Sequence, residues 1–338
     1  MNHFSWASPT TIPEATSAAS AIVAEAMTAP GGSTTGVVKA GGIDLLDLMK
    51  EGMLAPDTLV NLATVSGLDG IAEEKDGLRI GAMVTLAHLA AHPLIRQRYP
   101  ALAEAVGASA SPQIRNVATL GGNLLQRPRC WYFRAKDFHC LRKGGGHCFA
   151  LTGENQYHAI FDNQSCAIVH PSTAATVLVA LGAQVELVNA NGVSRTPLLE
   201  EFFIPPERDL QRENDLHPHE ILTAIHLPAL AGSLRMAHLK QGEKDSFDWP
   251  LADVAVVLDM AAEGRCIHAA VVLGAAAPVP HRASAAEYLL IGQHIDAVLA
   301  ARASKAALEG ARPLGKNAYK LPLFETLIRR AVLKAANA

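Results

Sequence analysis

Between residues 127 and 165 the sequence loses every trace of hydrophobic periodicity, although strand-like and helix-like patterns alternate on both sides of it. So long an irregular stretch inside a compact protein reads as a functional insertion, and the fold is to be sought in the flanking segments. Upstream, residues 4–6 read as a short strand, followed by a helix begun near Thr10 to Pro13 and broken at 30–35. Residues 37–40, 59–65 and 78–84 read as strands, and 43–49, 85–91 and 101–108 as helices. Downstream, regularity resumes at 166–169, and a helix at 173–180 followed by a strand at 184–188 is expected. After a stretch rich in Pro and charge at 201–219, residues 221–227 are the expected last strand of a large domain. Beyond a linker at 228–233, strands at 234–240, 254–260 and 267–273 with helices at 282–291 and 295–307 make a small α+β domain. The expected organisation is 1–228, with subdomains of about 1–55 and 56–228 and the insertion at 127–165, then 234–335.

Composition narrows the function classes. Of 338 residues, 49% are apolar and 18% charged, enough to bury the cores of two domains. A net charge of −3 leaves no basic stripe for a phosphate backbone, so nucleic acid is excluded as a partner. No segment has the length of a membrane span, and the N-terminus lacks a basic flank followed by an apolar stretch. The expected location is the cytoplasm, or the periplasm only if a partner's export signal carries the folded complex. Five cysteines, an odd number in a long chain, favour a reduced compartment.

AGGID at 40–44 and TLGGN at 119–123 each place paired glycines where a strand is expected to end. Glycine there lets the backbone approach a ligand closely and aim several N–H groups at one anion, which suits a pyrophosphate. A plain tight turn is the alternative for either pair taken singly. No G-x-G-x-x-G fingerprint and no P-loop is present, so a dinucleotide is held some other way than in a Rossmann or nucleotide-hydrolysing site.

Cys130, Cys140, Cys148 and Cys166 crowd one window, whereas Cys266 sits far off in an expected strand and reads as a small core hydrophobe. Four thiolates can hold a zinc ion or an iron–sulfur cluster. Gaps of nine, seven and seventeen residues match neither zinc knuckles nor ferredoxin runs, so the spacing leaves both open. From Arg127 to Cys148 there are six basic residues, Arg127, Arg129, Arg134, Lys136, Arg142 and Lys143, against one acid, Asp137. Such a shell would offset the negative charge of a thiolate-ligated cluster of either kind. Trp131, Tyr132 and Phe133 could exclude water there or simply anchor the loop. His139 and His147 are either substitute ligands or solvent-exposed side chains.

Taken together, residues 4–6 with Pro9 and Glu14, AGGIDLLDLMK, QIRNVATLGGNL, ILTAIHLP, SFDWPLADVAVVL and VVLGAAAPVPHRASAAE resemble the FAD-binding medium subunits of the xanthine dehydrogenase family of molybdenum hydroxylases. That resemblance covers nearly the whole chain. It implies a two-subdomain FAD-binding domain of the vanillyl-alcohol-oxidase-like type and a C-terminal domain of the CO dehydrogenase flavoprotein type. It also implies that Val38, Lys39, Ala40, Gly41, Gly42, Ile43, Asp44 and Leu45 wrap the FAD pyrophosphate. Thr119, Leu120, Gly121, Gly122 and Asn123 would approach it from the other side, and Leu222 and Lys240 would lie along the flavin and ribityl part. QRPRCWYFR with the long insertion resembles the subgroup found in bacterial aldehyde oxidoreductases and 4-hydroxybenzoyl-CoA reductase. There the insertion carries a [4Fe–4S] cluster, whose ligands carried over are Cys130, Cys140, Cys148 and Cys166. Family members commonly have Thr where Ile43 stands and Asp where Thr173 stands, which implies one hydroxyl and one carboxylate contact fewer.

The implied function is electron transfer. Electrons from a substrate oxidised on a large molybdopterin-binding subunit would pass through a small [2Fe–2S] subunit to FAD in this chain, and from there to an external small-molecule acceptor. No nucleophile–base pair is visible, so no general acid or base is assigned. Two rival readings remain at this point: a stand-alone flavin oxidase or dehydrogenase, which has no need of the cysteine insertion, and a non-catalytic scaffold whose cysteines hold structural zinc.

Overall fold

Short apolar runs bounded by Gly, Pro and Asp assemble into three sheets in the computed structural model, which describes residues 2–29, 33–230, 232–244 and 247–338. The expected break at 30–35 and linker at 228–233, and Ser246 of the SFDWP motif, fall partly or wholly outside the described residues. The chain divides into two units that interleave along the sequence. The first comprises Met1–Leu86, Pro112–Phe149 and Ala183–Leu227, and the second Ala87–Ser111, Ala150–Gly182 and Pro228–Ala338.

In the first unit β1 (Ser5–Ala7), β2 (Gly36–Lys39) and β3 (Thr58–Asn61) form a parallel sheet in the order β1-β3-β2, with Val37 in register with Leu59. The helix Ile43–Lys50 follows β2 directly and buries Leu45, Leu48 and Met49, the i, i+3, i+4 set that the sequence period predicts. Those three join Val37, Leu54, Leu59, Phe133 and Cys140 in one apolar cluster, so two residues of the irregular insertion are core residues of this layer. A second sheet runs β4 (Ile71–Glu74), β5 (Gly77–Gly81), β8 (Glu220–Pro228), β6 (Gln184–Asn189), β7 (Ser194–Arg195), with β4–β5 and β6–β7 as antiparallel hairpins.

The second unit is built on an antiparallel sheet of β9 (Leu234–Gln241), β10 (Ala252–Met260), β11 (Cys266–Gly274) and β12 (His281–Arg282), ordered β12-β11-β10-β9. Strand residues alternate between faces. Val254, Val256 and Leu258 pack with Phe324 and Ile328 of the helix Lys320–Ala336, while Asp253 accepts a hydrogen bond from Thr176 of the helix Thr173–Ala180 at 2.9 Å. Both faces are covered, which is why β10 reads as a continuous apolar run rather than an alternating one.

The α+β class matches the expectation, and several local readings change. The expected strands at 59–65 and 78–84 end early, the first passing into a 3₁₀ turn at Leu62–Thr64. The second Gly-Gly pair does not follow a strand. It lies inside the short helix Leu120–Leu124, capped by Thr119, whose hydroxyl accepts from the Gly122 amide at 3.2 Å.

Candidate functional site

At the first glycine turn, β2 ends at Lys39 and the chain turns through Gly41 and Gly42 into a helix. Gly42 has φ +82°, a left-handed conformation open to glycine, and as N-cap residue it has no side chain to receive the helix's first amides. Among the described residues no hydrogen bond is formed by the backbone amides of Gly41, Gly42, Ile43, Asp44 or Leu45. A helix start normally satisfies such donors with a cap or water, and here it presents a run of them together with the positive end of the helix dipole. Such a run of donors can receive an anion.

Gly41 also sits where no other residue fits, because a Cβ on it would stand 2.3 Å from the carbonyl oxygen of Val117. The second turn therefore abuts the first. A Cβ on Gly122 would be 3.8 Å from that of Ala40, and 3.0 Å from the Thr119 hydroxyl. The amides of this second turn are engaged: Leu120 donates to Val84, Gly121 to Ala82, Gly122 to the Thr119 hydroxyl and Asn123 to the Thr119 carbonyl. The first turn has unbonded N–H groups to offer, whereas those of the second are spent on Val84, Ala82 and Thr119. Ala82 continues the chain of contacts by donating to the carbonyl of Thr223, next to buried Leu222 on β8.

Val38 is half-buried on β2. Lys39 at the strand's end donates to Asn61 at 3.3 Å and lies 5.4 Å from the Trp6 ring, and burial pulls its ammonium below the ordinary lysine value. Ile43 is 41% exposed beside the unbonded amides and offers an apolar surface there. Lys240 belongs to the second unit. Its ammonium donates to the Ala108 carbonyl at 2.9 Å, and burial, partly offset by Asp253 and Asp248, lowers its pKa. Thr173, in the same unit, is buried at the start of a helix capped by Ser172.

Asp44 points elsewhere than its place in the turn suggested. Its carboxylate accepts the backbone N–H of Arg127 at 2.8 Å, the Arg134 guanidinium at 2.6 Å and that of Arg129 at 2.9 Å. Arg134 also reaches Asp47 at 3.1 Å. A second acid, missed in the sequence because it lies in the Pro- and charge-rich stretch, holds the other side of the insertion: Glu213 pairs with Arg127 at 2.8 Å and Arg142 at 2.6 Å. Burial would raise the Glu213 pKa, but the two guanidiniums outweigh it and keep the carboxyl below its usual range. Four of the six basic residues of the insertion thus pair with protein carboxylates. Lys143 donates to the Ala135 carbonyl at 2.6 Å, and burial lowers its pKa while nearby Cys140, Cys130 and Asp137 oppose that shift.

None of the five cysteines forms a disulfide. Cys130 directly precedes the short helix Trp131–Arg134, and Cys140 precedes the 3₁₀ turn Leu141–Lys143. Both pack in the apolar cluster around Phe133, with Phe149 beside them. Tyr132, Phe138 and Phe149 form an aromatic group with centroids 5.0 to 5.9 Å apart, whereas Trp131 is 39% exposed. Cys148 is half-buried just before the turn Phe149–Leu151, and Cys166 is buried in the second unit. His139 and His147 are exposed. Among the described residues no three His, Cys, Asp or Glu side chains converge to hold a metal ion. The donor chemistry of the four cysteines suits an iron–sulfur cluster or zinc. Cys266 is fully buried in the core of the second unit, where burial pushes its thiol up to about 11.

Residues 2–230 match the family described as the FAD binding domain in molybdopterin dehydrogenase, and residues 237–335 match the CO dehydrogenase flavoprotein C-terminal domain. The chain is 35% identical over 299 residues to the aldehyde oxidoreductase FAD-binding subunit PaoB of Escherichia coli (strain K12), a match covering 88% of this chain and 90% of PaoB. It is 28% identical to the carbon monoxide dehydrogenase medium chain of Hydrogenophaga pseudoflava, over 87% of this chain and 86% of that one. Among solved structures, quinoline 2-oxidoreductase from Pseudomonas putida 86 contains a chain with TM-score 0.74 and 25% identity, covering 99% of this chain and 98% of that one. With two family matches end to end over nearly its whole length, this chain belongs to the FAD-binding subunits of the xanthine dehydrogenase and carbon monoxide dehydrogenase family, and is an FAD-dependent oxidoreductase subunit.

Proposed function

We propose that this chain is the electron-transfer subunit of a heterotrimeric molybdenum hydroxylase of the aldehyde oxidoreductase type. Its companions are a small [2Fe–2S] subunit and a large molybdopterin-binding subunit, and it delivers electrons to a small-molecule acceptor in the cytoplasm. The observation that carries the proposal is the run of unbonded amides at Gly41 to Leu45 with Gly41 pressed against Val117. A diphosphate matches it in charge and in its demand for several donors at once. Bound there, FAD would supply reversible one- and two-electron transfer.

The chain's own residues then have separable tasks. Gly41, Gly42, Ile43, Asp44 and Leu45 offer backbone donors, and Val38, Lys39 and Ala40 form the approach to them. Thr119, Leu120, Gly121, Gly122 and Asn123 close the other side by shape. Leu222 and Lys240 contact the flavin and ribityl part, and the domain limits are 1–228 and 234–335. The proposal extends to a [4Fe–4S] cluster on Cys130, Cys140, Cys148 and Cys166. It is supported by four cysteines outside any disulfide, by Cys130 and Cys140 sharing one apolar cluster, and by the kinship to an aldehyde oxidoreductase subunit. Among the described residues no helix is long and apolar enough to cross a membrane.

The test is co-expression with the neighbouring subunits, purification on a tag placed on this chain, and a visible and EPR spectrum. Flavin absorption over a broad iron–sulfur shoulder, with two further polypeptides retained, is the expected result. Cys130→Ser and Cys148→Ser are expected to abolish the [4Fe–4S] EPR signal and leave FAD in place. A colourless protein with stoichiometric zinc defeats the proposal, and full EPR signals in both variants defeat the ligand assignment.

A further inference from the structure

Asp44 and Asp47 put two carboxylates on the first turns of the helix whose amides form the proposed diphosphate seat. Carboxylates there complement the helix dipole, yet they repel a second anion arriving at the same end. In this chain they are not bare. Arg129 and Arg134 neutralise them, and the Arg127 amide completes the set at 2.8 Å from Asp44. Asp44 is 15% exposed, Arg129 21% and Arg134 13%, so the bonds to Asp44 are largely shielded from water, while half-exposed Asp47 is less so. All three partners come from the opening of the insertion and bracket Cys130, which also packs in the cluster containing Leu45, Leu48 and Met49 of the same helix.

We infer that Asp44 is a positioning residue: through its side chain it ties the amide-bearing end of the helix Ile43–Lys50 to the cysteine-bearing insertion, so that occupancy of the seat steadies the insertion and an ordered insertion steadies the seat. This rests on the diphosphate reading given above and deepens it. Asp44 therefore meets the cofactor through its amide alone, and the carboxylate serves the loop. Coupling of this kind is reciprocal, because whatever factor the tie adds to cofactor affinity, the cofactor returns to the stability of the insertion.

The experiment uses the full chain and follows tryptic cleavage after Lys136 and Lys143, with and without FAD, in wild type, Asp44→Ala, Asp44→Asn and Arg134→Ala. FAD slows this cleavage in the wild type. Without FAD, Asp44→Ala and Arg134→Ala are cut roughly tenfold faster, both bind FAD more weakly by a similar factor, and both lose most of the protection FAD gives. Asp44→Asn, which keeps an oxygen for the Arg127 amide, falls between. Circular dichroism matching the wild type excludes global unfolding as the cause. A direct side-chain contact to the cofactor predicts otherwise: Asp44→Ala loses FAD while Arg134→Ala keeps it and cleavage stays at the wild-type rate. That pattern overturns the inference, as does equal FAD protection in variants and wild type. If wild type binds no FAD at all, the diphosphate reading fails, while faster cleavage of both Asp44→Ala and Arg134→Ala still supports the tie.

Discussion

Replacing Gly41 with alanine puts a methyl carbon 2.3 Å from the Val117 carbonyl oxygen, 3.1 Å from its carbon and 3.2 Å from the Ala118 Cα. All three are backbone atoms, so no side-chain rotamer can relieve the clash, and one turn must retreat by about 1 Å to reach ordinary van der Waals separation. Val117 and Ala118 cannot move independently, because the Ala118 amide is bonded to the Ile114 carbonyl at 2.7 Å and its carbonyl accepts from Leu86 at 2.9 Å. Overpacking of this sort costs about 1–3 kcal/mol. If the cost falls on the relative placement of the two turns, FAD affinity drops by about 5- to 150-fold. Titration of the apoprotein with FAD, followed by flavin fluorescence, measures it. Gly70→Ala is the matched control, since a Cβ there meets nothing within 4 Å, and its effect is expected to stay within about 0.5 kcal/mol. Should Gly41→Ala retain FAD within about twofold of the wild type, well under the tenfold that 1.4 kcal/mol represents, the contact between the turns does not seat the cofactor.

Glu213→Ala removes the carboxylate between two buried guanidiniums and is expected to destabilise the first unit by about 3–5 kcal/mol in urea unfolding; an effect under about 1 kcal/mol would mean the pair is solvated in solution. The same carboxylate has its folded pKa held below the usual value of 4.5 once Arg127 and Arg142 outweigh burial, so its contribution is full above pH 4.5 and is lost as acid takes the pH down through the folded value. Lys320 behaves in the opposite sense. Burial pushes its ammonium, which donates to the carbonyls of Ala275, His158 and Tyr157, down from 10.5 to about 7. The folded chain then holds fewer protons than the unfolded chain between those values, and stability rises with pH across that window. Lys320→Met is expected to flatten that rise, and an unchanged slope would place the titration elsewhere.

Much of the architecture was legible along the chain, because a helix or strand with one buried face repeats its apolar residues at its own period. Leu45, Leu48 and Met49 announced the helix after the first glycine turn, and the apolar run of β10 announced a buried strand. The helix Lys320–Ala336 carries an equally plain pattern in Phe324, Leu327, Ile328, Ala331, Val332 and Ala335, and went unread. Residues 166–169, apolar and mostly buried, form irregular chain, since burial alone does not imply a periodic element.

The residues alone determined that two glycine turns, a cysteine-rich irregular insertion and a separate α+β segment occur in this order, and those motifs carried the kinship to flavin subunits. Only the tertiary structure decided that one turn has amides to offer while the other has used its own, and that Asp44 faces the insertion. It likewise decided that Glu213 pairs with Arg127 and Arg142 across 86 and 71 positions. Periodicity reports which side of a segment is buried. It carries no information on which distant partner meets a charged side chain, because that depends on how separate segments dock.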